Sequence, residues 1–505
     1  MKQILFFACV VLLGLQTAIS QPVSVKITDG KSGESIPYAN IKISDTENLI
    51  SNSEGYFTVS ESNSGDETVM IVSYLGYTTR QITMGEVKKN QNIIRLEMAV
   101  FEIESVNVSN SKPDPYSIMA AVKKNLSQNY KSNGEPVKEM LFYRDVSSFR
   151  AKKFDVEITK STGFTKQTLA TVNTDLKTFA AKIIAQPQQQ FTDVLCNYYT
   201  SKIKMDGKLV YSQKLDVVKA TKLKDENRSV SLEDMEKTAG KILLQHVDTT
   251  KFYRIKSGLI GSRDTISLRK DFNKKKNKIK KNELTASKSN LISLLTKNNF
   301  LQSDKLDFVN NPELYEYTYD GAIFSAQNEF AYVIKFKPKK SKANYTGKLY
   351  VSETDYAVLR ADYVLAEGKT EGGFNMKFLL GIKASENLSK GTLIFKQNQN
   401  GKGYYLHYAS NETGQYIYIS RPLKFIELTD QEKDVVAFDL TVEGNILNKT
   451  EFLNISRNAI TETTFENVKE ENFKYIPLKR YDPAIWKNYS AIEPLEEMKA
   501  FRVVD

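Results

Sequence analysis

Cysteine, histidine and tryptophan are all scarce in this chain. Its 505 residues include 2 Cys, 2 His and 1 Trp, against 27 Tyr and 26 Phe. Two cysteines exclude a disulfide framework, and two histidines exclude a His-rich metal site. Tyrosine and phenylalanine suit strand surfaces, so the aromatic composition indicates a β-rich protein. With 41% hydrophobic residues, a chain of this length can bury a sizeable core.

The first twenty residues have the layout of a secretory signal peptide. Lys2 supplies a positive start, residues 4–15 form an apolar run, and residues 18–20 offer small side chains for cleavage. The run is shorter than the roughly 20 residues of a membrane span. We therefore expect an exported protein, periplasmic or associated with an outer membrane, whose mature chain has no transmembrane helix. Cleavage would leave Cys196 as the single thiol, so no internal disulfide can form.

Residues 21–109 predict a β-sandwich of roughly seven strands. Val23, Val25 and Ile27 alternate with polar residues, and comparable stretches recur at about 8–12 residues with turns between them. Gly55 and Gly76 permit the backbone angles that tight turns require. The predicted strands cover residues 23–27, 39–43, 56–59, 69–74, 77–83, 93–98 and 103–108.

Three short motifs in this segment carry a resemblance to a known family. They are Ile36-Pro37-Tyr38-Ala39-Asn40-Ile41, Ser53-Glu54-Gly55-Tyr56-Phe57 and Ser73-Tyr74-Leu75-Gly76-Tyr77. Their order and spacing resemble the carboxypeptidase regulatory-like domain, which Bacteroidetes envelope proteins carry at the mature N-terminus. The resemblance implies a prealbumin-like accessory module that brings no active-site residues. Phe57 and Tyr74 are expected to pack in its core or across its strands.

A linker and a helix are predicted for residues 110–138. Residues 109–115 are polar and contain prolines, which favours a domain boundary. Asp114 and Pro115 are typical of a helix start, with the acid at the N-cap and proline in the first turn. The apolar stripe that continues this helix to about Tyr130 consists of Ile118, Met119, Val122 and Leu126.

Residues 139–505 predict one large β-rich α+β domain, with a curved antiparallel sheet and a few helices on one face. Helices are predicted near residues 175–185 and 284–301. Alternating patterns predict strands at residues 315–324, 330–336, 345–351, 357–363, 376–382, 404–408, 416–419, 435–442 and 452–455.

Two parts of this region carry weaker resemblances. The hairpin formed by residues 345–351 and 355–362 resembles one hairpin of half-barrel lipoprotein carriers. The helix before Phe142 and the tail at residues 481–489 are similar to features of uncharacterised Bacteroidetes proteins with the same N-terminal domain. Trp486, in that tail, is expected to anchor it against the sheet.

No catalytic motif is present. Neither His246 nor His407 starts a His-x-x-Glu pair, and Cys196 has no flanking signature of a nucleophile. A Gly-x-Ser-x-Gly elbow, a phosphate loop and a dinucleotide fingerprint are all missing. We therefore expect no catalytic, metal-binding or cofactor-binding residues and no cofactor. Because a glycosidase needs only two carboxylates, 60 acidic residues leave that chemistry open.

One basic run stands out in a chain whose net charge is +11. Residues 269–281 carry eight positive charges in thirteen positions. The favoured interpretation of the run is a solvated loop or an exposed helix. If it binds a partner, an anionic lipid headgroup or lipopolysaccharide is more plausible than nucleic acid, which an exported protein rarely meets. The candidate contacts are Arg269, Lys270, Lys274, Lys275, Lys276, Lys278, Lys280 and Lys281.

The sequence therefore predicts a non-enzymatic envelope binding or adaptor protein whose ligand is a lipid, a glycan or an envelope protein. The alternative is a hydrolase of unrecognised type that uses paired carboxylates. An open apolar concavity in residues 139–505 would favour lipid carriage, and a cleft with two facing carboxylates would favour hydrolysis.

Overall fold

The computed structural model contains two β structures that pack against each other. It describes residues 22–45, 47–99, 112–162, 164–185, 187–225, 252–257, 260–267, 282–324, 330–427 and 435–503. The first structure, here called the module, comprises residues 22–99. The predicted signal peptide, the strand predicted at residues 103–108, His246 and the basic run at residues 269–281 lie outside the described residues.

The module is a sandwich of two sheets. Its strands are β1 (Val23–Asp29), β2 (Asn40–Ser44), β3 (Glu47–Ile50), β4 (Tyr56–Val59), β5 (Val69–Ser73), β6 (Arg80–Thr83) and β7 (Ile93–Leu96). The sheets have the orders β4-β1-β7 and β3-β2-β5-β6. Seven strands are confirmed within the described residues, but the set includes β3, which the alternation did not reveal. Because β3 begins with the polar residues Glu47 and Asn48, it shows no alternation of apolar and polar residues.

The module has a core of its own. Alternate residues of its strands are buried, for example Val25, Ile27 and Ile41, each with no exposed surface. Gly55 and Gly76 have φ values of +84° and +83°, as their predicted turns require. Phe57 is 1% exposed and confirms the core prediction.

The second structure is one sheet, to which the described residues contribute 14 strands. Its strands are β8 (Val137–Ser161), β9 (Gln188–Met205), β10 (Lys208–Lys224), β11 (Phe252–Ser257), β12 (Ile260–Ser267), β13 (Tyr315–Phe324), β14 (Phe330–Pro338), β15 (Tyr345–Ser352), β16 (Val358–Leu365), β17 (Gly372–Met376), β18 (Ile382–Gln397), β19 (Tyr404–Glu427), β20 (Val435–Ala459) and β21 (Ile476–Leu478). The main path runs β13-β14-β15-β16-β18-β19-β20-β8-β9-β10-β21, while β11, β12 and β17 pair beside it. Every pairing is antiparallel except that of β10 with β21.

Several predicted strands prove to be parts of longer ones. The stretches 404–408 and 416–419 both belong to the 24-residue β19, and 435–442 and 452–455 both belong to the 25-residue β20. The strand predicted at residues 376–382 is wrong. Residues Lys377–Leu380 form a helical turn, which ends because Gly381 adopts a φ of +67°.

The helices are mostly short. They are α1 (Met84–Lys89), α2 (Pro115–Tyr130), α3 (Lys166–Ala185), α4 (Glu283–Lys297), α5 (Asp307–Asn310), α6 (Lys377–Leu380), α7 (Glu462–Asn467) and α8 (Glu496–Lys499). Single 3-10 turns lie at Glu61–Asn63, Asp304–Leu306, Pro312–Leu314 and Pro483–Ile485. The predicted start of α2 is confirmed, because the Asp114 carboxylate accepts from the backbone N–H groups of Tyr116 and Ser117. By contrast, α3 begins nine residues before the predicted position 175.

The two faces of the large sheet are covered differently. On one face Tyr143 packs in the main core with residues of α2 and α4, such as Val122 and Leu291. On the other face the neighbouring Phe142 meets Trp486 edge to face, with ring centroids 5.6 Å apart. Ile50 of the module belongs to this second cluster. The helices therefore cover one face, as predicted, and the module with the C-terminal tail covers the other.

The tail joins the module to the sheet. Trp486 is 8% exposed and packs on Phe142, which confirms its predicted burial against the sheet. The backbone carbonyl of Lys487 accepts a 2.8 Å hydrogen bond from the backbone N–H of Glu61. Further along, the Asn52 side chain donates to the carbonyl of Glu493 at 3.2 Å. These contacts fix the module at one end of the long strands.

Candidate functional site

A cleft of about 1520 Å³ lies where the module meets the end of the large sheet. Its walls come from β2 and β5 of the module, the residues after α2, the end of α4 and the ends of the strands. The turn between β18 and β19 and the hairpin of β9 and β10 close its sides. The cleft therefore draws on at least six segments that are far apart in the chain.

A polar cluster in the wall of the cleft bridges the module and the sheet. Lys396, on β18, donates from Nζ to the side-chain oxygens of Asn40 at 2.6 Å and Asn48 at 3.0 Å. His407, on β19, places Nε2 3.1 Å from the same Asn40 oxygen. Its Nδ1 lies 3.1 Å from the backbone oxygen of Asn454. Asn40 of the module thus contacts both Lys396 and His407 of the sheet.

Burial determines the charge of these two groups. Desolvation and the nearby positive charge of Lys42 lower the pKa of Lys396 to about 7. Desolvation, together with Lys396, lowers the pKa of His407 well below its usual value. The ring is therefore neutral at pH 7, and with its single N–H it donates to only one of its two neighbouring oxygens.

A second polar group lies beside the first. Arg457 donates from Nη1 to Glu139, and from Nε to the side-chain oxygen of Asn398 at 3.1 Å. Glu139 also accepts from the Asn454 side chain at 2.8 Å. The guanidinium carbon lies 5.5 Å from the centre of the Tyr405 ring. A cation and an amide thus share one oxygen of this carboxylate, Oε1.

Arg360 connects the module to the opposite wall. It donates from Nε to Asp362 at 2.8 Å and from Nη1 to the Tyr74 hydroxyl at 2.9 Å. Tyr74 also packs against the module core, as predicted, but its hydroxyl belongs to the junction. The backbone N–H of Gly76 donates to the carbonyl of Phe324 at 3.1 Å. Residues of the first and third family-like motifs thus serve as contacts to the sheet.

Carboxamides and tyrosines are the most frequent polar side chains in the lining of the cleft. The asparagines are Asn40, Asn48, Asn129, Asn133, Asn298, Asn299, Asn398, Asn400 and Asn458. The glutamines are Gln128, Gln213, Gln302, Gln397 and Gln399. The tyrosines are Tyr38, Tyr74, Tyr130, Tyr198, Tyr211, Tyr404 and Tyr405. Carboxylates are few: Asp45, Glu135 and Glu139.

Of the three residues that the sequence analysis weighed for catalysis, the structure describes His407 and Cys196. His407 is 1% exposed and serves the junction. Cys196 is buried, and desolvation raises the pKa of its thiol, as an inert thiol requires. Within the described ranges, no three His, Cys, Asp or Glu side chains are grouped as a metal site needs. No helix in the same ranges is long and apolar enough to cross a membrane.

The sequence analysis missed the cleft because its walls come from segments that are far apart in the chain. Lys396 lies on β18, and the sequence analysis predicted no strand there, so it gave no expectation for this side chain. Asn40 was noted only as part of a family-like motif. The one usable signal was the density of Asn and Gln between residues 397 and 400, which is unusual for a plain hairpin turn.

The fold and the cleft define a two-part β protein, in which a small sandwich is seated on one face of a large antiparallel sheet. Residues 23–108 match the family model of the CarboxypepD_reg-like domain, so the module is a domain of this type. No curated protein matches the chain. Among solved structures, Pseudomonas aeruginosa OccK5 (OpdH) is 6% identical, over 63% of this chain and 98% of that chain. The TM-score of this match is 0.09.

Proposed function

We propose that this is an exported, non-enzymatic binding protein of a cell envelope of the Bacteroidetes type, and that its cleft holds a glycan. The observation that carries this proposal is the lining of the cleft by carboxamides and tyrosines. A sugar hydroxyl both donates and accepts hydrogen bonds, and a carboxamide can match both roles. A tyrosine offers an apolar ring for the sugar face and a hydroxyl for its edge.

The size of the cleft favours a chain of several sugars. Pockets for compact ligands usually measure about 300–1,000 Å³, and this cleft measures about 1520 Å³. It is bounded on one side by the β9 and β10 hairpin, whose Tyr211 is 45% exposed. An extended ligand can therefore contact both the hairpin and the module.

The structure offers less support for a lipid in this region. Carrying an acyl chain requires an open apolar concavity. One face of the sheet is filled by α2, α3 and α4, whose apolar residues pack into its cores. The module and the tail occupy part of the other face. The apolar surface of the described strands is thus used largely for packing.

Hydrolysis by paired carboxylates is the second candidate, and the cleft contains three acids. Asp45 is paired with Lys42 at 2.6 Å, and the lysine lowers its pKa. Glu139 is held by Arg457 and Asn454. A glycosidase needs one protonated carboxyl group to act as an acid. Two of the three acids are each ion-paired with a basic side chain, so we favour binding over cleavage.

The test is a binding titration with purified oligosaccharides. Probes are peptidoglycan fragments, lipopolysaccharide core oligosaccharide and neutral tetrasaccharides, and heat is measured by calorimetry. We expect at least one class to bind with a Kd below about 1 mM. Mass spectrometry of the same mixtures should show the probes intact.

Two variants locate the binding. Tyr211→Ala should weaken it about tenfold, which is the loss of roughly 1.4 kcal/mol expected for one aromatic contact. Tyr116→Ala is the matched control, because Tyr116 is 46% exposed and does not line the cleft. Equal affinity of the two variants, or no binding to any probe, overturns the proposal. Shortened products would establish the hydrolase instead.

A further inference from the structure

Lys396 is a cation of the cleft to which the structure assigns no counter-ion. Within the described part of the chain, no carboxylate lies within ion-pair distance of its ammonium group. The two arginines of the cleft differ in this respect: Arg360 is paired with Asp362 and Arg457 with Glu139. A buried cation is ordinarily paired, because desolvation otherwise disfavours its charged form.

The hydrogen bonds of Lys396 leave room for a further acceptor. An ammonium group has three donors. Two of them go to Asn40 and Asn48, and the described residues provide no third acceptor. The side chain is half-buried and lines the cleft, so the remaining donor is accessible from there.

The surroundings reinforce the positive potential at this point. Lys42, on β2 of the module, also lines the cleft. The ion-pair partner of Lys42 is Asp45, whose side chain is 83% exposed, so water screens much of that carboxylate's charge. His407 on β19 is neutral. Glu139, the buried carboxylate of the neighbouring polar group, is already paired with Arg457. The described groups around Lys396 thus supply one more cation and no buried anion that lacks a cation of its own.

We propose that the ligand of the cleft carries an anionic group, a carboxylate or a phosphate, and that the Lys396 ammonium group binds it. This inference rests on the proposed function and specifies its ligand as an acidic glycan. The anion supplies the missing partner of the lysine, and the asparagines hold the side chain in position. Because the anion stabilises the charged form, binding near pH 8 should draw a proton onto Lys396.

The experiment compares acidic oligosaccharides with neutral counterparts of the same shape. One pair is tetragalacturonate and its methyl ester, and the other is lipopolysaccharide core oligosaccharide before and after dephosphorylation. The first pair tests a carboxylate and the second a phosphate. The wild type should bind the charged member of at least one pair about tenfold more tightly. Lys396→Gln should abolish this preference, whereas Lys402→Gln, at an exposed lysine on the rim, should retain it.

A second readout separates charge recognition from a purely structural role. Calorimetry at pH 8 in buffers of different ionisation enthalpy measures the protons taken up on binding. The wild type should take up a substantial fraction of one proton with the acidic ligand, and Lys396→Gln should take up none. A structural lysine would change affinity without changing proton uptake.

The possible failures are distinct. If acidic and neutral members bind equally to the wild type, the anion site is wrong and the glycan proposal stands. If no oligosaccharide binds, the glycan proposal is wrong, and the anion site is judged with inorganic phosphate by NMR of ¹³C-labelled lysine. A phosphate-dependent shift of the resonance that Lys396→Gln removes would support the site. Absence of that shift would overturn it.

Discussion

Replacing Lys396 with methionine should stabilise the folded protein at pH 6 and destabilise it above about pH 9. In the folded protein the pKa of this lysine falls from 10.5 to about 7, through desolvation and the charge of Lys42. Between these two values the unfolded chain carries one proton more than the folded protein. The free energy of unfolding of the wild type therefore falls as the pH falls from about 10.5 to 7.

The magnitude follows from the size of that shift. Each pKa unit corresponds to about 1.4 kcal/mol, so the lysine costs the folded state about 5 kcal/mol below pH 7. Methionine removes this cost but loses the hydrogen bonds to Asn40 and Asn48, worth about 1 kcal/mol each. The variant should thus be about 3 kcal/mol more stable at pH 6. The two effects should cancel near pH 9, where the remaining cost of the lysine is about 2 kcal/mol.

The assay is urea unfolding at pH 6, 7.5, 9 and 10, followed through the fluorescence of Trp486. It is the single tryptophan of the chain and packs on Phe142, so it reports on the sheet near the module. His407 is neutral across this range and Lys42 is present in both proteins, so neither creates the difference. Lys402→Met, at an exposed position, should show no pH-dependent effect. A difference between wild type and Lys396→Met that is constant with pH would refute the reasoning.

Three other perturbations have definite outcomes. Trp486→Ala should lower the free energy of unfolding by about 3–5 kcal/mol, because the ring packs edge to face on Phe142, and a change below about 1 kcal/mol in urea unfolding would show that the tail is not an anchor. Arg144→Met should cost about 3–5 kcal/mol, because it leaves Asp193 buried without its partner at 2.7 Å; adding Asp193→Leu should restore most of this stability, and a double variant as unstable as the single one would contradict the argument. If the basic run binds an anionic membrane face, each of its lysines should contribute about 1 kcal/mol to binding. Replacing them with glutamine should then abolish salt-sensitive co-sedimentation with anionic vesicles. Equal binding of the wild type and the variant would indicate a solvated loop. The lysines to be replaced are Lys274, Lys275, Lys276, Lys278, Lys280 and Lys281.

The module and the general architecture were predictable because their signals are local. Alternation at Val23, Val25 and Ile27 marks a half-buried strand, and Asp114 before Pro115 marks a helix start. Both patterns reflect contacts within a few residues. Tertiary context decided the remaining boundaries. Thus β19 and β20 continue through polar stretches, because each is hydrogen-bonded to a neighbour along almost its whole length.

The cleft could not be predicted, because its chemistry depends on long-range contacts. Asn40 and Lys396 are 356 positions apart, and neither lies in a pattern that indicates the other. The sequence shows Lys396 as one of 71 basic residues, and only the fold removes part of its surface from water. The same holds for His407, whose neighbours in the sequence give no indication of its burial.

The position of Lys396 is itself an argument for function. Elsewhere in this junction, strand alternation, core packing and turn residues all favour the observed fold. The partly desolvated ammonium group of Lys396 has no carboxylate partner and instead destabilises the folded protein. A methionine or a leucine would fit the same strand without that cost. Natural proteins tolerate such local conflicts chiefly where activity requires them. If the cleft binds an acidic glycan, the ligand supplies the missing anion. The charged lysine that lowers the stability of the empty protein then strengthens the binding of the ligand. The bound protein should therefore lose most of the pH dependence that the empty one shows between pH 7 and 10.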